Sequence, residues 1–138
     1  MQPSQESSQQ PVANYLHRFA AKLGDHWQCD LAVRVIPDTL QLDDMLVSEI
    51  CLILSEGAAN AVRHGAADRM LCTVSAENGT LQLCMKDNGA GIPAIEGACH
   101  APRSIQARAR KLGGTIEVES SDQGLALSVS IPLHVRAA

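Results

Sequence analysis

Glu56, Asn60 and His64 recur at every fourth residue near the end of a long apolar-periodic stretch. If that stretch is helical, the three share one stripe, with about 6 Å of rise between successive side chains. Two short alternating segments later comes Asp87-Asn88-Gly89-Ala90-Gly91, a carboxylate at a strand end followed by glycines that free the backbone. A carboxamide offers Mg²⁺ the hard oxygen it prefers. A carboxylate accepts a hydrogen bond from the amino group of a base. Together they suggest a nucleotide site.

Composition narrows the remaining choices. A chain of 138 residues, 46% of them apolar, makes one domain with one core. Tyr15, Phe19 and Trp27 are the only aromatics, so the core must be aliphatic and no stacking platform for bases exists beyond residue 28. A net charge of −4 without a basic run argues against nucleic-acid binding. No uninterrupted apolar run approaches the roughly 18 residues of a membrane span, and no signal-peptide pattern opens the sequence. Cys29, Cys51, Cys72, Cys84 and Cys99 are odd in number and form no CxxC pair. They read as reduced, mostly buried thiols of a cytoplasmic protein, with zinc binding a remote alternative.

Elements that would position the two motifs follow from periodicity. Residues 1–11 are polar and read as a disordered linker, leaving 12–138 as the domain. Val12 to about Gly24 has helical spacing, and Cys29–Ile36 alternates as a half-buried strand ended by Pro37. Leu42, Met45, Leu46, Ile50, Ile53, Leu54, Ala58 and Ala61 then predict a long helix to about His64, with Gly65 as its C-cap. Met70–Ala76 and Leu81–Asp87 form a hairpin around Asn78-Gly79. Asn88–Arg103 lacks any period and reads as a long loop. Ser104–Leu112 is a short helix, whose Arg108, Arg110 and Lys111 read as a solvated face. Thr115–Glu119 and Leu125–Ile131 make a second hairpin. The sum is an α+β fold, a two-layer sandwich with helices on one face of a mostly antiparallel sheet.

In this context the motifs resemble those of the GHKL (Bergerat-fold) ATPases. Glu56-xxx-Asn60-Ala61-Val62-Arg63-His64 looks like their N-box, and Asp87-Asn88-Gly89-Ala90-Gly91-Ile92-Pro93 like their first glycine box. Ala107 to Ser120, containing Leu112-Gly113-Gly114-Thr115-Ile116, is similar to the stretch after the ATP lid in sensor histidine kinases, the nitrate/nitrite-sensor group above all. The resemblance implies an ATP-binding catalytic domain that uses Mg²⁺. Asn60 would hold the metal, and Glu56 would orient a metal-bound water or act as base. Asp87 would read adenine, Gly89 and Gly91 would let the chain turn beneath it, Arg63 would approach phosphate, and His64 would line the nucleotide. The implied partners are a histidine-bearing dimerisation domain, on the same or a separate chain, and a response regulator.

Two positions depart from that family. The second glycine box is replaced by Ala101-Pro102-Arg103-Ser104-Ile105, which leaves a hydroxyl at Ser104, a candidate N-cap and phosphate donor, and a charge at Arg103. Leu125 stands where a threonine hydroxyl is usual. Alternatives stay open at this level: a free-standing anti-sigma-factor serine kinase, or a non-catalytic module that keeps only the fold. Each residue also has a plainer reading. Glu56 and Asn60 suit a solvated helix face, Asp87-Asn88-Gly89 a turn, and Arg63 and His64 a helix C-terminus that favours cations.

Overall fold

The computed structural model describes residues 10–90, 102–121 and 123–133. Along the chain come β1 (Gln10–Pro11), α1 (Ala13–Trp27), β2 (Asp30–Ile36), β3 (Gln41–Leu42) and α2 (Asp44–Gly65). Then follow β4 (Arg69–Glu77), β5 (Thr80–Asp87), α3 (Arg103–Lys111), β6 (Thr115–Ser121) and β7 (Gly124–Pro132). Strict alternation gives the main strands one apolar face: Leu31, Val33 and Val35 on β2, Cys72 and Val74 on β4, Leu81, Leu83 and Met85 on β5, and Leu127, Val129 and Ile131 on β7 are all buried. These strands make a sheet in the order β2-β4-β5-β7-β6. Only the β2–β4 pair is parallel. The helices line up across the buried face, α1 on β2, α2 on β5 and α3 on β6 and β7. The two-layer α+β sandwich expected from the sequence is the fold observed.

Local chemistry sets the element ends. Asn78 and Gly79 both adopt positive φ, as a two-residue turn between twisted strands requires, and Glu77 pairs with Thr80 across it. The carboxylate of Asp43 accepts from the Leu46 amide at 2.8 Å and caps α2. At the other end the expectation for Gly65 fails: it is the last helical residue, and Ala66 takes the left-handed cap conformation. Helix α1 runs three residues past Gly24 to Trp27. The short antiparallel pairing of β1 with β3 was not legible in the sequence, and it brings Gln10 and Pro11, expected in the polar leader, onto the fold.

By length and composition α2 is apolar enough to cross a membrane, yet half of that window is buried within the protein. It is the central helix of the core, with Leu46, Ile50, Ile53, Leu54, Ala58 and Ala61 buried; Met45, expected on this face, is exposed. The fully buried large side chains are aliphatic apart from Cys72, and no aromatic is among them. Cys29, Cys51 and Cys72 are free and buried, and burial pushes all three thiols up from their ordinary range. For Cys29, Asp68, Asp30 and Asp87 add to the effect. Cys99 lies outside the described residues.

Because the Asp43 carboxylate is the side-chain cap of the helix that organises the core, Asp43→Ala should cost about 1 kcal/mol of stability. Urea unfolding should show a lower midpoint with an unchanged slope. An unshifted midpoint would mean that the amide of Leu46 finds an equivalent partner without the carboxylate.

Candidate functional site

Helix α2 ends where β5 ends, and the two are joined by backbone. The Ala90 amide donates to the Gly65 carbonyl at 2.8 Å. Gly89 is buried against the same peptide, where a Cβ would lie 2.6 Å from the Gly65 oxygen. Gly89 does not adopt a positive φ, so its role is close approach, where the sequence predicted turning freedom. Asn88 tightens the junction. Its Oδ1 accepts from the amides of Asp68 and Arg69 at 3.1 and 3.0 Å, and its Nδ2 donates to Asp68 Oδ1 at 2.8 Å. Sequence reasoning missed this clamp, since its partners lie about twenty residues away and no local spacing marks them.

Asp87 closes β5 on its buried side, and half of its carboxylate is committed. Oδ1 accepts from the amides of Gly89 at 2.9 Å and Leu125 at 3.3 Å. Oδ2 has no hydrogen-bond partner among the described residues, so it stands as an open acceptor. The backbone bond from Leu125 explains Gly124, whose φ is +137° and whose added Cβ would lie 1.9 Å from the Asp87 carbonyl oxygen. Asp87 borders an open cavity of about 630 Å³, lined also by Lys86, Glu119, Ser120, Leu125 and Ala126.

On α2 the Asn60 side chain is held by its own helix: Nδ2 donates to the Glu56 carbonyl at 2.9 Å. That bond fixes the rotamer and leaves Oδ1, the hard oxygen, without a protein partner among the described residues. Glu56 Oε1 accepts from the Ser104 hydroxyl at 2.7 Å, tying α2 to the start of α3. Ser104 therefore does not cap its helix; Pro102 occupies the cap position and supplies no side-chain bond. Arg63 and His64 are exposed in the last turn of α2, with no hydrogen bond or ion pair among the described residues. Gly91 lies outside them.

Of the solvated face expected of α3, Arg110 and Lys111 are exposed, but Arg108 is half-buried and both Arg108 and Lys111 are paired. Arg108 Nη1 and Lys111 Nζ reach Glu49 Oε1 and Oε2 at 3.2 and 3.3 Å, and the Glu49 side chain is only 9% exposed. An acid inside the apolar stretch, seven residues before Glu56, was the available signal. The structure thus joins Glu56 to Ser104 directly and ties the Asp87 strand end to the end of α2. It does not place Asn60, Arg63 or His64 on the cavity that Asp87 borders. A larger groove of about 740 Å³ between α1 and α2 contains none of the expected site residues.

A model of the histidine kinase-like ATPase domain family matches residues 19–114, more than half of the chain. No curated protein matches it. Among solved structures it resembles a blue-light activated histidine kinase of Erythrobacter litoralis, with TM-score 0.73 and 23% identity over 92% of this chain and 43% of that one. The ATP binding domain of PrrB from Mycobacterium tuberculosis superposes with TM-score 0.71 and 22% identity over 90% and 95%. The histidine kinase AdeS of Acinetobacter baumannii gives 0.70 and 16% over 91% and 66%. At these identities the structural likeness shows the fold, and the chain spans less than half the length of the first of these kinases.

The junction itself is testable by adding one methyl group at two glycines. Gly89→Ala drives a Cβ into the backbone of Gly65 and should cost about 1–3 kcal/mol. Gly57→Ala meets only the movable Met85 thioether, at 2.7 Å, and should stay within about 1 kcal/mol of the parent. Equal urea midpoints for the two variants would contradict the close approach.

Proposed function

The chain belongs to the histidine kinase-like ATPase domain family, and from that premise we propose that it is the ATP-binding catalytic domain of a sensor histidine kinase of the nitrate/nitrite-sensor type. Residues 12–138 act as one cytoplasmic unit that delivers the γ-phosphoryl of ATP to a histidine on a dimerisation domain, for relay to a response regulator. The observation that carries this reading is the pair of prepared oxygens on joined elements. Asn60 Oδ1 is oriented by the bond from Nδ2 to the helix backbone, and Asp87 Oδ2 has no partner among the described residues while Oδ1 is held by two amides.

The donor set fits Mg-ATP. When bound, Mg-ATP supplies the transferable phosphoryl group and a cation that offsets its charge. Asn60 contributes a neutral oxygen ligand, appropriate to an ion that keeps most of its waters. Glu56, one turn earlier on the same stripe, keeps Oε2 free of described partners and can hold a metal-bound water or take the proton of an incoming nucleophile. Asp87 Oδ2 accepts from the adenine amino group and offers nothing to the carbonyl that guanine carries there. Arg63 and His64, exposed past Asn60, would approach the phosphates and line the nucleotide. The Ser104 hydroxyl, expected to serve phosphate, donates instead to Glu56 Oε1.

Asp87→Asn separates recognition from architecture. Its carbonyl oxygen still serves the Gly89 and Leu125 amides, while an NH₂ replaces the open acceptor. ATP affinity measured by calorimetry should fall by about 1–3 kcal/mol. Undiminished affinity in the folded variant would remove Asp87 from the site. Asn60→Ala should abolish the tightening of ATP binding by Mg²⁺ and spare magnesium-free ADP binding. Equal losses with and without metal would assign Asn60 to packing.

A further inference from the structure

Helices α2 and α3 are joined by a seam of two rungs. Glu49 and Glu56 lie seven residues apart, two turns along one side of α2. Facing them, Ser104 and Arg108 are four residues apart on α3, with Lys111 three further on. Ser104 meets Glu56 while Arg108 and Lys111 meet Glu49, so the helices run antiparallel along the seam. The rungs differ in kind. The Ser104 rung is exposed, a single hydroxyl on one carboxylate oxygen. On the Glu49 rung the carboxylate is only 9% exposed and the Arg108 side chain 29%, with its buried Nε unpartnered among the described residues, while the Lys111 side chain is 65% exposed. The desolvated Glu49 carboxylate resists sliding chiefly through Arg108, because parting that pair strands a largely buried charge.

Resting on the reading of Glu56 and Asn60 given above, we infer that Ser104 is a positioning residue for Glu56 and that Glu49 is the positioning residue for Ser104. Glu49 fixes the station of α3 along α2 through Arg108 and Lys111. At that station the Ser104 hydroxyl occupies Glu56 Oε1 and leaves Oε2 without a partner among the described residues. Glycine at position 104 would leave the Glu56 carboxylate without this donor. The serine is a device of this chain that supplies orientation from a neighbouring helix. Removing a hydrogen-bond partner that orients a group near a bound metal typically costs 10–100-fold in metal affinity.

The measured quantity is the factor by which Mg²⁺ tightens ATP binding, obtained by calorimetry and set beside magnesium-free ADP affinity. Ser104→Ala and Glu49→Gln should each lower that factor about tenfold, leaving ADP affinity within about twofold. Ser104→Thr, which keeps the hydroxyl, should restore it. The double variant Glu49→Gln/Ser104→Ala should be no worse than the worse single one, since both act along one path. Ser104→Ala perturbs only an exposed hydroxyl and covers the case in which Glu49→Gln fails to fold. An unchanged factor in Ser104→Ala, a parallel loss of ADP affinity, or no rescue by threonine would overturn the inference. Asn60→Ala separates the two levels. If it leaves the magnesium factor intact, or if the parent protein binds no ATP, the site reading fails and takes this inference with it. If it removes the factor while Ser104→Ala does not, only the inference fails.

Discussion

The contact between Gly89 and the Gly65 peptide is the constraint on which the site depends. Two backbones meet there without a side chain between them, and the Ala90 amide completes the junction on the Gly65 carbonyl. Because α2 and β5 are both rigid, joining them at their ends fixes Asp87 relative to the whole stripe from Glu56 to His64. The Asn88 clamp then holds the Asp68–Arg69 turn, which links α2 to β4, so three consecutive elements share one corner. A larger residue at Gly89 would open that corner and move the carboxylate away from the helix.

The same helix end carries a local oddity. Helices commonly end with glycine in the left-handed conformation, yet here Ala66 adopts it, with φ at 54°. A left-handed non-glycine residue costs about 1–2 kcal/mol. Gly65 stays helical one residue earlier, and it is its backbone that meets Gly89.

What was legible in the sequence was periodic or local. Alternation placed the five main strands, the 3.6-residue stripe placed α2, Asn78-Gly79 placed a hairpin, and the aromatic-poor composition foretold an aliphatic core. The two motifs were found because their spacing is short. What escaped was partner choice across distance. Glu49 reads as one acid in an apolar helix until α3 delivers Arg108 and Lys111 to it. Ser104 reads as an N-cap until the helix starts one residue earlier and its hydroxyl turns to Glu56. The β1–β3 pairing involves two residues on each side, too few to generate a pattern. In each case the deciding term is a tertiary contact, which local spacing does not encode.

The account rests on one claim, that this corner binds adenine nucleotide through a carboxylate and a magnesium-coordinating amide. Titrating the unmodified protein with ATP and with GTP, each with and without Mg²⁺, tests it directly. The predicted result is measurable ATP binding that tightens with Mg²⁺, and GTP binding at least about tenfold weaker, the equivalent of about 1.4 kcal/mol. ATP and GTP binding equally well, or neither producing heat in the presence of Mg²⁺, would contradict it.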